Sequence, residues 1–329
     1  MEIIIKNVHI HNFKSIADLE LKDCRRINLF IGYPNVGKSN VLEALGLFSV
    51  PFFNEGEKLN KLVRVENKNE LFYNASQKYS LIKINQSNNV TLTNDMQLKM
   101  LIENVFGCSG FLFTDDLKVN RDNSDIKSGI RNIKRYIFNS NNKWKSNGDI
   151  QLLPPFGENI IDTLSYSDNV SDVKTWMKQE FKKFGLEYVL DKSTNSLKVQ
   201  KRLSGDEVFI LPYSSIADTL QRVIFYKTAI ASNKNSVLLF EEPEAHAFPP
   251  YIQTIMQDII DTESNQFFIV THSPLVVNAF LEYEKLRKET SIYLFDYKND
   301  QTTAKRLSDE EMELAYEYDD LFFNLENLL

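Results

Sequence analysis

Cysteine is scarce in this chain: Cys24 and Cys108 are the only two, far apart in sequence. Neither a disulfide framework nor a zinc site is indicated. Long apolar runs are missing as well. None approaches the ~18 residues a helix needs to cross a bilayer. Met1-Glu2-Ile3-Ile4-Ile5-Lys6 has neither the apolar region nor the cleavage site of a signal peptide, so a cytoplasmic chain is expected. Positive charge is also short, with 38 Lys and Arg against 45 Asp and Glu and a net charge of −7. No global field draws such a protein to nucleic acid or to an anionic membrane; binding of that kind needs a local patch. There is no internal repeat, and no heptad run long enough for coiled-coil arms. What remains is 329 residues, 43% hydrophobic and 25% charged. That is ordinary for a globular protein and enough for one large α/β domain, alone or with a sizeable insertion.

The most informative stretch is Gly32-Tyr33-Pro34-Asn35-Val36-Gly37-Lys38-Ser39, a complete G-x-x-x-x-G-K-S phosphate loop. It follows Arg26-Ile27-Asn28-Leu29-Phe30-Ile31, which reads as a buried strand. It precedes a helix with Val41, Ala44, Leu45 and Phe48 on one face. In such a loop the backbone N–H groups curl around phosphates at a helix N-terminus, the lysine reaches the β- and γ-phosphates and the serine hydroxyl ligates Mg²⁺. The chain is therefore expected to bind a nucleoside triphosphate through Gly32, Asn35, Val36, Gly37, Lys38, Ser39 and Asn40, with Mg²⁺.

Hydrophobic periodicity divides the chain into three. Residues 1–90 read as strands around the phosphate loop and its helix, with Val8–Phe13 and Leu81–Ile84 as further strands. Residues 91–186 read as a helical insertion: Met96, Met100 and Leu101 fall at helical spacing. So do Val173, Trp176, Met177 and Phe181, with Ser171 as N-cap and Gly185 past the end. Residues 187–329 return to strand–helix alternation. Val237–Phe240 and Phe267–Val270 are short apolar runs suited to strands covered on both faces. Between them, Pro249-Pro250 opens a helix with Ile252, Ile255, Met256, Ile259 and Ile260 as its core stripe. Ser291–Phe295 is a further strand.

Val237-Leu238-Leu239-Phe240-Glu241-Glu242 has the form of a Walker B motif, a buried strand ending in acids. One carboxylate can hold the Mg²⁺ hydration shell, and its neighbour can activate the attacking water. Glu241-Glu242-Pro243-Glu244-Ala245-His246 resembles the E-P-E-A-H stretch of ABC-type ATPases of the RecF, structural-maintenance-of-chromosomes (SMC) and overcoming-lysogenization-defect (OLD) group. Phe13-Lys14-Ser15 resembles that group's N-F-[KR]-S segment. Gly37-Lys38-Ser39-Asn40 with Leu42-Glu43-Ala44-Leu45 matches its G-K-S-N-x-L-E-A-L text. Ile269-Val270-Thr271-His272-Ser273-Pro274 resembles its T-H-S-P switch.

The resemblance implies an α/β fold, an ABC-type P-loop nucleotide-binding domain with a mixed sheet and a helical insertion. It implies an ATPase using ATP and Mg²⁺: Lys14 near the nucleotide, Glu241 supporting Mg²⁺, Glu242 as base and His272 at the γ-phosphate. Two features depart from the family's text. Glu241 stands where Asp is usual. The signature segment has no glycine; its nearest equivalent, Tyr213–Arg222, offers Ser214 and Ser215 before a helix, either as a plain N-cap or as an anion contact to a partner subunit. The glutamine loop has only Gln77 and Gln86 as candidates, and no N-K-x-D-type guanine reader is evident.

Lys118, Arg121, Lys127, Arg131, Lys134, Arg135, Lys143 and Lys145 meet only Asp122 and Asp125 over their span, with Tyr136, Phe138 and Trp144 interleaved. Residues 118–145 can serve nucleic acid or a partner protein, or form a solvated face. Leu329 follows shortly after the last predicted strand, so the fused nuclease of OLD-type proteins is not expected in this chain. The resulting expectation is a sensor ATPase that dimerises head to head and controls a separate effector in bacterial anti-phage defence. The alternatives are an ATP-binding scaffold with little turnover and a repair ATPase that binds DNA ends.

Overall fold

Ile27-Asn28-Leu29-Phe30-Ile31-Gly32 is buried along its whole length, which a strand achieves in the middle of a sheet covered on both faces. A computed structural model, which describes residues 4–105, 107–121, 132–317, 322 and 325, places it there. In chain order the strands are β1 (Val8–Phe13), β2 (Ile16–Leu21), β3 (Ile27–Gly32), β4 (Tyr79–Ile84), β5 (Asn88–Asn94), β6 (Leu98–Asn104), β7 (Gly107–Phe113) and β8 (Val119–Arg121). They continue with β9 (Ile133–Tyr136), β10 (Glu187–Asp191), β11 (Ser196–Arg202), β12 (Val208–Pro212), β13 (Val237–Glu241), β14 (Gln266–Val270), β15 (Thr290–Lys298) and β16 (Gln301–Arg306). The helices are α1 (Lys38–Gly46), α2 (Ile160–Tyr166), α3 (Ser171–Lys182), α4 (Asp218–Ser232), α5 (Pro249–Asp261), α6 (Pro274–Leu281), α7 (Glu284–Glu289) and α8 (Asp309–Glu317).

Two compact units result, one of residues 1–135, 235–242 and 266–329, the other of residues 136–234 and 243–265. The first carries a six-stranded sheet ordered β16-β15-β3-β14-β13-β9 and a seven-stranded sheet ordered β2-β1-β4-β5-β6-β7-β8. In the six-stranded sheet, β13, β14, β3 and β15 run parallel, while β16 returns antiparallel to β15. This is the expected mixed sheet. Register aligns Glu241 with Val270 and Val270 with Phe30, so the C-terminal ends of β13, β14 and β3 finish together. The edge beyond the carboxyl ends of parallel strands is where open α/β sheets bind ligands. The second unit holds the three-stranded sheet β10-β11-β12 together with α2 to α5.

The structure corrects the first part of the helical insertion. Met100 and Leu101 lie in β6, and Met96 is 98% exposed in the turn before it. The governing period is two: Leu98, Met100 and Ile102 are buried, and Leu98 and Met100 stand opposite Phe113 and Phe111. Among the described residues of this stretch, the first helix begins at Ile160. In α3, Val173, Met177 and Phe181 are buried as expected. Gly185 adopts φ +67 just past the helix, where a left-handed residue ends it. Ser171 is the first helical residue and not the cap; a 3₁₀ turn over Asp168–Val170 leads into it.

Candidate active site

The phosphate loop depends on two glycines. Gly32, at φ +149, ends β3 so close to β15 that a Cβ there would lie 2.4 Å from the Phe295 carbonyl oxygen. Gly37 adopts φ +96 immediately before α1, and a Cβ would meet Thr302 Oγ1 at 2.0 Å. Asn35 is also left-handed, at φ 65, a conformation asparagine tolerates better than most residues. Asn40 Nδ2 donates to Ser15 Oγ at 2.6 Å, and Ser15 Oγ lies 2.6 Å from Thr302 Oγ1, so side chains of β16 and α1 brace the loop.

Lys38 is 4% exposed and donates from Nζ to the carbonyls of Gly32 (2.9 Å) and Tyr33 (2.7 Å). Burial lowers its pKa, the charges of Glu242 and Glu241 pull it back up, and the balance is about 8. Glu241, at the end of β13, receives Arg135 Nη2 at 2.5 Å and Arg64 Nη2 at 3.2 Å. Burial works against its charge, but Arg135, a hydrogen bond from Ser39 and Arg64 outweigh it and hold the carboxyl below the ordinary range. Glu242 leaves the strand at φ 43, its N–H bonded to Val270 O at 2.9 Å, with a half-exposed carboxylate. His272, at the end of β14, places Nε2 3.8 Å from Glu242 Oε1. Burial and the Lys38 charge lower the His272 pKa, opposed by Glu242; the ring is neutral at pH 7 and can donate one hydrogen bond. Asn35, Gly37, Lys38, Ser39, Asn40, Glu241, Glu242 and His272 thus line one cavity of about 380 Å³.

Arg64 also lines this cavity, and the sequence reading missed it. It belongs to an ionic network centred on Glu43 of α1, which is itself fully buried. Glu43 receives Lys14 Nζ at 2.6 Å and Arg64 Nε at 2.7 Å, with Arg135 Nη1 at 3.9 Å. Lys14, expected near the nucleotide, is thereby turned toward Glu43 and the Arg64 carbonyl. The signal was present: Glu43 sits among Leu42, Ala44 and Leu45, and a carboxylate on an apolar helix face requires cationic partners.

Arg135 and its neighbour Lys134 correct the basic stretch. Lys134 and Arg135 are each 2% exposed. Lys134 lies over the Phe52 ring at 5.3 Å, and Arg135 bonds Glu241 and the Leu62 carbonyl. Arg121 donates to the carbonyls of Pro51 and Phe53, Lys118 pairs with Asp116, and Lys145 pairs with Glu158. Strand β9 carries Lys134 and Arg135 inward, so the described residues of 118–145 do not form one basic face. Lys127, Arg131, Asp122 and Asp125 lie outside the described residues. Ser214 and Ser215 are exposed in a 3₁₀ turn of the second unit; Ala217 caps α4, so neither serine is its N-cap. Gln77 and Gln86 are exposed before and after β4.

A phosphate loop after one strand, with a glutamate pair and a histidine ending two parallel neighbours, defines a P-loop ATPase head of the ABC type. Residues 27–278 match the family described as AAA domain, putative AbiEii toxin, Type IV TA system, and the chain belongs to that ATPase family. Among similar proteins, the uncharacterized protein MJECL10 of Methanocaldococcus jannaschii is 25% identical over 47% of this chain and 63% of its own length. The DNA replication and repair protein RecF of Caldanaerobacter subterraneus is 35% identical over 21% of this chain and 18% of its own. The retron Vc95 probable ATPase of Vibrio cholerae is 22% identical over 54% of this chain and 34% of its own. The chain therefore spans less than two thirds of each of these relatives. The fold is similar to the Smc head with an extended coiled coil bound to the C-terminal domain of ScpA from Pyrococcus furiosus. That likeness has a TM-score of 0.53 at 12% identity and covers 95% of this chain and 98% of the other. A second SMC head, bound to the C-winged helix domain of ScpA, gives 0.52 at 15% identity over 93% and 98%. Among the described residues, no helix is long and apolar enough to cross a membrane.

Proposed function

We propose that the first unit binds ATP with Mg²⁺ and hydrolyses it. The convergence of Lys38, Ser39, Glu241, Glu242 and His272 on one polar cavity carries this reading. The residues fit the ion: the Ser39 hydroxyl bonds the Glu241 carboxylate, and a hydroxyl and an acid with room for water and phosphate oxygens suit a cation that keeps much of its hydration. When bound, Mg²⁺ supplies charge neutralisation at the β- and γ-phosphates. Lys38 exchanges its two carbonyl partners for phosphate oxygens. Glu242, the less engaged acid, accepts the proton of the attacking water, and neutral His272 donates to the γ-phosphate without adding charge.

The finer reading is a regulatory ATPase that dimerises head to head, with Ser214 and Ser215 reaching the partner's nucleotide, and that controls a separate effector in anti-phage defence. Similarity to the retron Vc95 probable ATPase supports this biological setting, and the ScpA-bound SMC heads support docking of a second protein. A scaffold with slow turnover is favoured by one observation: Glu241 is already engaged by two guanidinium groups. The burial of Lys134 and Arg135 removes two of the cations on which the DNA-end reading rested. Calorimetry with MgATP tests the cavity. Lys38→Ala should abolish binding, because the loop loses the cation facing the phosphates, and unchanged affinity would remove the assignment.

A further inference from the structure

The second unit contains a cavity of about 380 Å³ of its own, within the ~300–1,000 Å³ typical of small-molecule sites. Four half-buried aromatic side chains, Phe138, Trp144, Phe156 and Tyr213, face it above the buried Phe225. Trp144 and Tyr213 are tilted at 58° with centroids 5.0 Å apart, and the Arg222 guanidinium backs Phe138 at 4.6 Å. The ring positions are therefore held by packing before anything binds.

The polar lining is selective. In a chain with net charge −7, the cavity is lined by Lys143 and Lys198 and by no acid among the described residues. Lys198 is paired with Asp191 at 2.6 Å; Lys143 is exposed at the rim beside Trp144. Asn139, Asn142, Asn195 and Gln221 add carboxamides, the groups that match the mixed donor and acceptor edges of heterocyclic bases. Gln221 is 3% exposed. Its Nε2 donates to Ile216 O at 2.8 Å, while its Oε1 is buried with no hydrogen-bond partner. A buried carbonyl oxygen left unpaired is costly; a turn of this carboxamide toward the cavity would give it an exocyclic amine or ring N–H as partner.

We propose that this cavity is a second nucleotide site, separate from the phosphate loop, that takes a planar heterocyclic base between the aromatic side chains with its phosphate at Lys143. The same chemistry is presented by a free mononucleotide and by the terminal nucleotide of a single strand. Tyr213 and Ser214 line the cavity and lead into α4, so occupancy acts on that segment. The site does not depend on the ATPase reading of the first unit.

Trp144 and Trp176 are the chain's two tryptophans, which allows a direct test. In a full-length Trp176→Phe, Lys38→Ala protein, Trp144 is the sole indole reporter and the phosphate loop is disabled. Its emission should change saturably on titration with AMP, GMP, CMP or UMP, or with a short single-stranded oligonucleotide. Lys143→Glu, an exposed change that leaves the fold intact by circular dichroism, should weaken that response at least about tenfold. Saturation by mononucleotides identifies the free ligand; saturation by the oligonucleotide alone identifies the strand end. A Trp144 signal unmoved by every probe would overturn the proposal. Equal responses to inorganic phosphate, or affinity unchanged by Lys143→Glu, would overturn it as well.

Discussion

Replacing Arg135 should expose how far the site depends on charges beneath it. The side chain is 2% exposed and reaches Glu241 at 2.5 Å, Glu43 at 3.9 Å and the Leu62 carbonyl. Its stem packs so closely on α1 that a Cβ at Gly46 would lie 2.8 Å from Arg135 Cδ. Arg135→Met keeps most of that volume and removes the charge. Breaking one side of a buried ion pair costs about 3–5 kcal/mol. Arg64 and Ser39 still hold Glu241, and Lys14 still holds Glu43, so the lower end, about 3 kcal/mol, is expected. Urea unfolding of Arg135→Met, Glu241→Gln and the double variant isolates the pair, with a coupling of about 1–3 kcal/mol expected. The Glu241 carboxyl is held below its ordinary range in the folded state. Its contribution is therefore complete above the unfolded pKa and is lost as pH falls through the folded one. The Arg135→Met penalty should accordingly shrink on acidification. Coupling below about 0.5 kcal/mol, or a penalty that grows in acid, would refute the reasoning.

Other outcomes follow from the same geometry. Gly37→Ala meets both φ +96 and a 2.0 Å approach to Thr302 Oγ1; it should destabilise the protein by at least about 1–3 kcal/mol in thermal or urea melts and abolish MgATP binding in calorimetry. With Lys38 at about 8, the free protein loses this charge as pH rises through that value, while bound phosphate raises the pKa. Affinity for ATP should fall and proton uptake on binding should grow above about pH 8, read by calorimetry in buffers of different ionisation heat. Lys143→Ala with Lys145→Ala should leave ATP hydrolysis at the wild-type rate in a phosphate-release assay, since neither residue lines the phosphate-loop cavity.

The parts of the fold that repeat a local rule were legible in the sequence. The all-buried runs at Ile27–Ile31, Val237–Phe240 and Phe267–Val270 read as central strands because no solvent-facing alternation was present. The phosphate loop was legible because its glycines and Lys38-Ser39 stand at a fixed local spacing. Met96, Met100 and Leu101 misled because a spacing of four and one suits a helix as well as two faces of a strand. Only pairing with Phe111 and Phe113 decides between them, and pairing is not local. Lys134 and Arg135 misled for a related reason. A basic residue reads as exposed until the buried acid that draws it inward is known, and Glu241 lies more than 100 residues away in sequence.

Single-turnover hydrolysis by Glu242→Gln tests the central claim most directly. The amide keeps the side chain's shape at the end of β13 but cannot accept the proton of the attacking water. MgATP should bind Glu242→Gln with wild-type affinity, turn over at least ~10²-fold more slowly, and accumulate as the ATP-bound assembly. Wild-type turnover in Glu242→Gln would place the base elsewhere and contradict the role assigned to this acid.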